Sequence, residues 1–447
     1  MKTPIADFVA AYRASGDSRF HMPGHKGRAR LGAEPLDITE IDGADVLYGA
    51  NGIIHESEEQ ASSLFHTAHS FYSAEGSTLA VKAMLKLATE GVPMGERPLV
   101  LAARNAHKAF IYGAALLDID VEWLYAEPYS HLCRCKITAE VLQKKLSEMS
   151  RKPHAVYITS PDYLGNVADI SALARVCKAF RIPLLVDNAH GAYLGFLSPS
   201  RHPIALGAAM CCDSAHKTLP VLTGGAYLHI SKDTPHEYVR NARNALALFA
   251  STSPSYLILQ SLDLCNRYLS DGYGEKLSAC IARIDAVKAK MTEKGFAPED
   301  SEQLKIVLHA SKYGYTGEEM AARLREHRVV PEFYDREYLV LIVTPENDET
   351  DFARLLAVFD DITPKTALDV PSFSLKKAIP CLSLRAAMLG AQEIVSIENA
   401  VGRICAAPTV SCPPAVPIVI SGEEITAEAV EIFKWYGIDN ISVVEMS

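Results

Sequence analysis

The chain has 447 residues, roughly three times the usual domain size, so two or three compact units are expected rather than one small module. Hydrophobic residues make up 49% and charged residues 22%, a globular balance that excludes disordered, collagen-like and coiled-coil chains. Lysine and arginine number 44 against 54 acids, and the net charge of −10 sets nucleic acid aside as a partner.

The opening segment, residues 1–16, lacks the uninterrupted apolar core of a secretory signal, and no run long enough to cross a membrane follows. A cytoplasmic location with no membrane partner is the expectation. Ten cysteines are too few and too irregularly spaced for a disulfide scaffold. The closest pairs, Cys133-x-Cys135 and Cys211–Cys212, have no partners at zinc-finger spacing, so reduced, mostly buried thiols and no metal are expected.

In chain order, residues 20–55 are punctuated by glycine and proline and read as a long ordered excursion. His55, His66 and His69 follow; the spacing of the last two puts both imidazoles on one helical face without a clear third ligand, and structural histidines are the expectation. From about 60 to 230, short apolar runs alternate with helix-length amphipathic ones. Strands are expected at Pro98–Ala102, Val121–Tyr125, Ala155–Thr159, Pro183–Asp187 and Ala226–Ile230. Helices are expected at Leu79–Glu90, Ala106–Leu117, Thr138–Ser150 and Ser171–Phe180. This alternation implies right-handed crossovers and a largely parallel sheet. Residues 256–295 read as helical, unbroken from Tyr256 to Asp271. A second mixed region has strands at Leu304–Leu308 and Tyr338–Thr344, a proline-rich run at Pro408–Pro417 that threads across a surface, and a last helix at Ala427–Tyr436. The expected division is 1–60 as an N-terminal segment covering the active site or a dimer interface, 61–275 as an α/β domain, and 276–447 as a smaller α+β domain.

Four elements carry chemistry. Lys217 follows an apolar strand in Cys212-Asp-Ser-Ala-His-Lys217, where desolvation would free its amine for an imine with an aldehyde. Asp187 ends a strand expected to be central in the sheet, the edge where open α/β folds bind ligands. Ser77 and Thr78 open a helix, a natural anion site. His107 begins the next helix and offers a flat ring for stacking. Each alone has a plainer reading: a solvated lysine, an N-cap aspartate, a hydroxyl cap, a surface histidine. Together they are the parts pyridoxal phosphate needs, namely a phosphate cradle, a stacking face, a carboxylate for the pyridine nitrogen and a lysine.

The chain resembles the fold-type I, pyridoxal-phosphate-dependent ornithine/lysine/arginine decarboxylases, particularly the shorter Gram-positive type without the N-terminal wing domain. The likeness rests on Phe20-His-Met-Pro-Gly-His-Lys-Gly27, Asp37-Ile-Thr-Glu-Ile-Asp-Gly43, Gly76-Ser-Thr78, Arg104-Asn-Ala-His-Lys108, Asp187-Asn-Ala-His-Gly191, Ser214-Ala-His-Lys-Thr-Leu-Pro220 and Ser251-Thr-Ser-Pro-Ser-Tyr256. It implies a large domain with a mostly parallel seven-stranded sheet binding pyridoxal 5'-phosphate, plus the smaller C-terminal domain. Lys217 would form the Schiff base, Asp187 would pair with the pyridine nitrogen and His107 would stack on the ring. Ser77, Thr78, Ser214 and His216 would surround the phosphate, and His190 would sit near the phenolic oxygen or the substrate carboxylate. Thr252, in Ser251–Ser253, would come from the neighbouring subunit of a homodimer with active sites at the subunit interface, with higher assembly left open. Ala109, Tyr193, Gly224 and Pro161-Asp-Tyr163-Leu-Gly165 depart from the family's commoner residues, and the cofactor positions are retained. The expected reaction is decarboxylation of arginine, lysine or ornithine to an amine of polyamine metabolism. The alternatives are an aminotransferase or a lyase on the same cofactor, and a catalytically silent regulator of the same fold.

Overall fold

A computed structural model describes residues 1–93, 95–126, 133–134, 136–370, 377–410 and 416–445. Seven strands, β1 (His69–Ser73), β2 (Leu99–Ala103), β3 (Asp120–Leu124), β4 (Ala155–Thr159), β5 (Leu184–Asp187), β6 (Met210–Asp213) and β7 (Ala226–Ile230), form one sheet. Its order is β1-β7-β6-β5-β4-β2-β3, and it is mostly parallel. Strand β7 runs antiparallel to both β6 and β1. Strands β2 and β5 are buried at every position, which is why their sequences are continuous apolar runs rather than alternating ones.

The expected strands β2, β3, β4, β5 and β7 all form, within a residue or so at the ends. Strand β1 was hidden by its composition. His69-Ser-Phe-Tyr-Ser73 is wholly buried, yet its polar groups are satisfied: Ser70 Oγ meets His229 Nδ1 at 2.8 Å, His69 Nε2 meets Glu58 Oε2 at 3.1 Å, and Ser73 Oγ donates to the Gly76 carbonyl at 2.9 Å. The expectation that His66 and His69 share a helical face is corrected here. Helix Ile53–Phe65 stops at His66, which adopts a left-handed φ of 56°, and His69 already lies in β1. His69 instead stacks on His55 with ring centroids 5.4 Å apart. The long helical stretch also divides, at Asp271-Gly272, into Tyr256–Ser270 and Tyr273–Glu293.

The chain separates into two compact units. The first comprises residues 1–93, 154–158 and 170–275. In it the N-terminal helix Pro4–Ser15 is tied down by Asp263, whose Oδ2 accepts the N–H groups of Ile5 and Ala6, each at 2.9 Å. A buried carboxylate at a helix N-terminus meets both the orphan donors and the positive end of the helix dipole. The second unit comprises residues 94–153, 159–169 and 276–447. It contains an antiparallel sheet of β8 (Lys305–His309), β10 (Tyr338–Ile342) and β9 (Phe333–Tyr334), and a ribbon pairing Gln392–Ser396 with Asn440–Val444. Helices Gly317–Glu326 and Glu349–Asp360 each begin with a capping box, Thr316 with Glu319 and Asp348 with Asp351. The last helix is Ala427–Trp435. Within the proline-rich run, residues 411–415 lie outside the described residues, as does Cys135. Of the eight described cysteines all but Cys381 are buried, and Cys177, Cys211, Cys212, Cys265, Cys280 and Cys381 are free thiols. No helix among the described residues is long and apolar enough to cross a membrane.

Candidate active site

Three strand ends of the first unit converge on one set of polar groups. Strand β5 delivers Asp187 at its C-terminal end, 4% exposed, and the turn that follows carries His190. This turn has Gly191 for a steric reason: a Cβ there would lie 2.0 Å from Asn188 Oδ1. The same Asn188 donates through Nδ2 to Asp213 Oδ1 at 2.7 Å, which pins the start of the turn to the end of β6.

Strand β6 leads into Ser214 and the single helical turn Ala215–Thr218, which carries Lys217. Lys217 Nζ stands 3.2 Å from His190 Nε2, so the lysine amine and the imidazole that follows Asp187 are hydrogen-bond partners. His216 points elsewhere: its Nδ1 lies 2.9 Å from the Gly225 carbonyl. Burial lowers the pKa of His216, and the charge of Lys217 adds to this against the opposing backbone hydrogen bond, so the ring is neutral and Nδ1–H donates.

Strand β1 leads through Glu75 into helix Gly76–Ala88, which no side chain caps, so its first turn can offer N–H donors beyond that of Gly76 to an external acceptor. Ser214 Oγ donates to Ser77 Oγ at 2.8 Å, bringing the two hydroxyls expected at the phosphate together. Thr78 follows Ser77 in that turn and is exposed. The diglycine before β7 joins the parts. Gly224 accepts the Gly76 N–H at 2.7 Å, and Gly225 accepts His216. Gly224 has φ +98 and its Cβ would meet the Ala74 carbonyl oxygen at 3.0 Å, while a Cβ on Gly225 would lie 2.2 Å from Val221 Cγ1.

Ser251 N–H donates to Glu75 Oε1 at 2.7 Å, so the exposed segment containing Thr252 is tethered beside the same turn in its own chain. His107 belongs to the second unit, where it N-caps helix Lys108–Leu116 by accepting the Ala109 N–H on Nδ1 at 3.1 Å. The structure thus unites Lys217 with His190, and Ser77 with Ser214, while His107 stands in its own unit.

Two residues at this site escaped sequence reasoning. Tyr157 on β4 donates its hydroxyl to Asp187 Oδ2 at 2.9 Å, and Cys212, the β6 register partner of Asp187, approaches Oδ1 at 3.5 Å. Only the strand register, which composition does not reveal, would have found them. The donor set fits pyridoxal phosphate: an uncapped helix N-terminus with paired hydroxyls for the phosphate, a buried carboxylate for the ring nitrogen, and a primary amine beside an imidazole for the aldehyde.

The comparisons with known proteins agree. Residues 3–310 match the major domain of the Orn/Lys/Arg decarboxylases and residues 372–438 their C-terminal domain. The chain is 28% identical to the Bacillus subtilis protein YaaO over 96% of its own length and 93% of that protein. It is 25% identical to an arginine decarboxylase of Bacillus anthracis, covering 97% of this chain and 92% of the relative. Among solved structures it is similar to the Francisella novicida lysine decarboxylase LdcF, with TM-score 0.80 and 17% identity over 99% of this chain and 81% of the other. The constitutive lysine decarboxylase of E. coli gives TM-score 0.77 and 16% identity over 99% and 82%. With the family match spanning most of its length and a fold-type I sheet beneath, the chain belongs to the Orn/Lys/Arg decarboxylase family of pyridoxal-phosphate-dependent amino-acid decarboxylases.

Proposed function

We propose that the protein removes the α-carboxylate of a basic amino acid, arginine, lysine or ornithine, as CO2 and releases the corresponding amine of polyamine metabolism. The observation that carries the reading is the 3.2 Å contact between Lys217 Nζ and His190 Nε2, three residues beyond Asp187. Relatives named arginine decarboxylase support a cationic substrate, as does the net charge of −10.

When bound, pyridoxal phosphate supplies the conjugated, protonated ring that accepts the electrons of the breaking carbon–carboxylate bond. The chain's own groups do the rest. Ser77, Thr78, Ser214 and the N–H groups of Ser77 and Thr78 would hold the phosphate, and Asp187 would face the ring nitrogen with an opposite charge. His107 would cover the ring face, and Thr252, whose neighbour Ser251 is tethered to Glu75 in its own chain, would close the phosphate at the subunit interface. Lys217 is the residue that holds the aldehyde. His190 Nε2 would receive a proton from the Lys217 ammonium, because only the neutral amine is a nucleophile, and Lys217 would return a proton to the substrate Cα.

A homodimer with shared active sites belongs to the same reading. Phe20 is 96% exposed, Leu31 94% and Leu248 61%, large apolar side chains of the first unit that a partner surface would cover. The division of labour follows: 1–60 reaches over the neighbouring site, 61–275 binds the cofactor, and 276–447 forms the C-terminal domain. The free thiols of Cys177, Cys211, Cys212, Cys265 and Cys280 support a reducing, cytoplasmic compartment.

The test is direct. Purified protein with added pyridoxal phosphate should release CO2 from at least one of the three amino acids without any keto acid, and Lys217→Ala should release none. Borohydride reduction followed by peptide mass analysis should find the pyridoxyl label on the Lys217 peptide. A label on another lysine removes Lys217 from its role, and turnover that requires a keto acid makes the enzyme an aminotransferase.

A further inference from the structure

Asp187 is gripped from two sides within the first unit. The Tyr157 phenol donates to Oδ2 at 2.9 Å, and Oδ1 receives the Cys212 thiol at 3.5 Å and the Ala189 N–H at 3.2 Å. Tyr157 and Cys212 are both fully buried. Burial pushes the phenol and the thiol well above their ordinary pKa values, and the charge of Asp187 adds to both shifts. Each therefore stays protonated at physiological pH and serves only as a donor to the carboxylate. A carboxylate oxygen offers two acceptor positions. Among the described residues Oδ1 takes two donors and Oδ2 takes one, so the acceptor position still open lies on Oδ2.

We propose that Tyr157 and Cys212 are positioning residues for the decarboxylation: they fix the plane of the Asp187 carboxylate so that the open position on Oδ2 meets the protonated ring nitrogen of the cofactor. The inference rests on the assignment of Asp187 to that nitrogen. Shape does not require these two side chains. Phenylalanine and valine would fill a fully apolar strand interior equally well, so what the tyrosine and cysteine add is the pair of donors.

The experiment compares wild-type holoenzyme with Tyr157→Phe, Cys212→Val, Cys212→Ser and Asp187→Asn. It measures the cofactor dissociation constant by equilibrium dialysis, the visible circular dichroism of the bound cofactor, kcat and KM on the fastest substrate of the three, and melting of the cofactor-free protein. Tyr157→Phe should weaken cofactor binding about tenfold, the worth of one hydrogen bond to a charged group. It should also diminish the visible dichroism and lower kcat while KM for the amino acid stays put. Cys212→Val should move the same readouts less, and Cys212→Ser, which keeps a donor, should restore them. Wild-type affinity and dichroism in both Tyr157→Phe and Cys212→Val overturn the proposal; so does a loss that Cys212→Ser fails to restore when Tyr157→Phe is silent. If Asp187→Asn itself keeps wild-type affinity and dichroism, the assignment of Asp187 falls, whereas loss in Asp187→Asn with Tyr157→Phe and Cys212→Val both silent sinks only the positioning role.

Discussion

Asp213→Asn tests whether the face of β6 turned away from Asp187 supports the site. Asp213 is fully buried and accepts three donors: Asn188 Nδ2 at 2.7 Å, His202 Nε2 at 3.0 Å and His229 Nε2 at 3.2 Å. Burial alone would raise its carboxyl, but charge interaction and hydrogen bonds with His202 and His229 outweigh that and hold it far below the usual carboxylate range. Burial also keeps His229 below its ordinary value, so near neutral pH it meets Asp213 as an N–H donor rather than a cation. At that pH the His229 contact is a hydrogen bond to a charge rather than an ion pair. An amide at 213 turns an N–H group toward two imidazole N–H donors, and disrupting a buried charged cluster costs about 3–5 kcal/mol. At about 2–4 °C per kcal/mol, that lowers Tm by roughly 6–20 °C. Calorimetry at neutral pH reads the drop, and cofactor retention should fall with it because Asn188 directly follows Asp187. The sign with pH is also fixed. A depressed carboxyl gives stability that is complete above the unfolded value near about pH 4 and is lost as pH falls through the folded value. The gap between wild type and variant should therefore hold down to about pH 4 and narrow below it. A neutral-pH difference under about 2 °C, or one that does not narrow in acid, refutes the account.

Gly191→Ala should destabilise by about 1–3 kcal/mol as its Cβ displaces the Asn188 amide; denaturant melts with an unchanged m-value would register it. In the second unit Arg104 donates to the Pro417 and Ile418 carbonyls, each at 3.1 Å, and to Glu423 at 3.2 Å, where burial raises the Glu423 carboxyl against the opposing pull of Arg104. Arg104→Met alone should cost about 3–5 kcal/mol in urea unfolding, and adding Glu423→Met should recover part of it, since the double variant strands no charge. His216 is depressed by burial, so stability around Lys217 is complete above about pH 6.5 and declines as pH falls toward the folded value. Amide exchange over Ala215–Thr218 should quicken below that pH, and His216→Gln should remove the dependence.

Much of this was legible in the sequence because parallel strands buried on both faces read as plain apolar runs: Leu99–Ala103 and Leu184–Asp187 need no alternation to be found. The motifs at Lys217, Asp187 and Ser77 were legible for another reason, since one cofactor demands those groups in one place. Strand β1 was not, because its serines and histidine look solvated until Glu58 and His229, 11 and 159 residues away, and the nearby Gly76 supply their partners. Tyr157 and Cys212 were missed likewise: which residue stands opposite Asp187 depends on register, and register is set by the packing of whole strands. His66 was misread because its spacing from His69 suits a helix that a left-handed residue in fact ends.

The diglycine at 224–225 gives the site a fixed gauge. One carbonyl holds the turn that carries Ser77 and the next holds the His216 ring beside Lys217, so a single pair of peptide planes sets the span from the Ser77 turn to the lysine. Redesigning the rim for a longer or shorter substrate would leave that ruler untouched. Lengthening the chain by one residue between Leu222 and Ala226 would instead put the Ser77 turn and Lys217 out of step, however intact every neighbouring side chain remained.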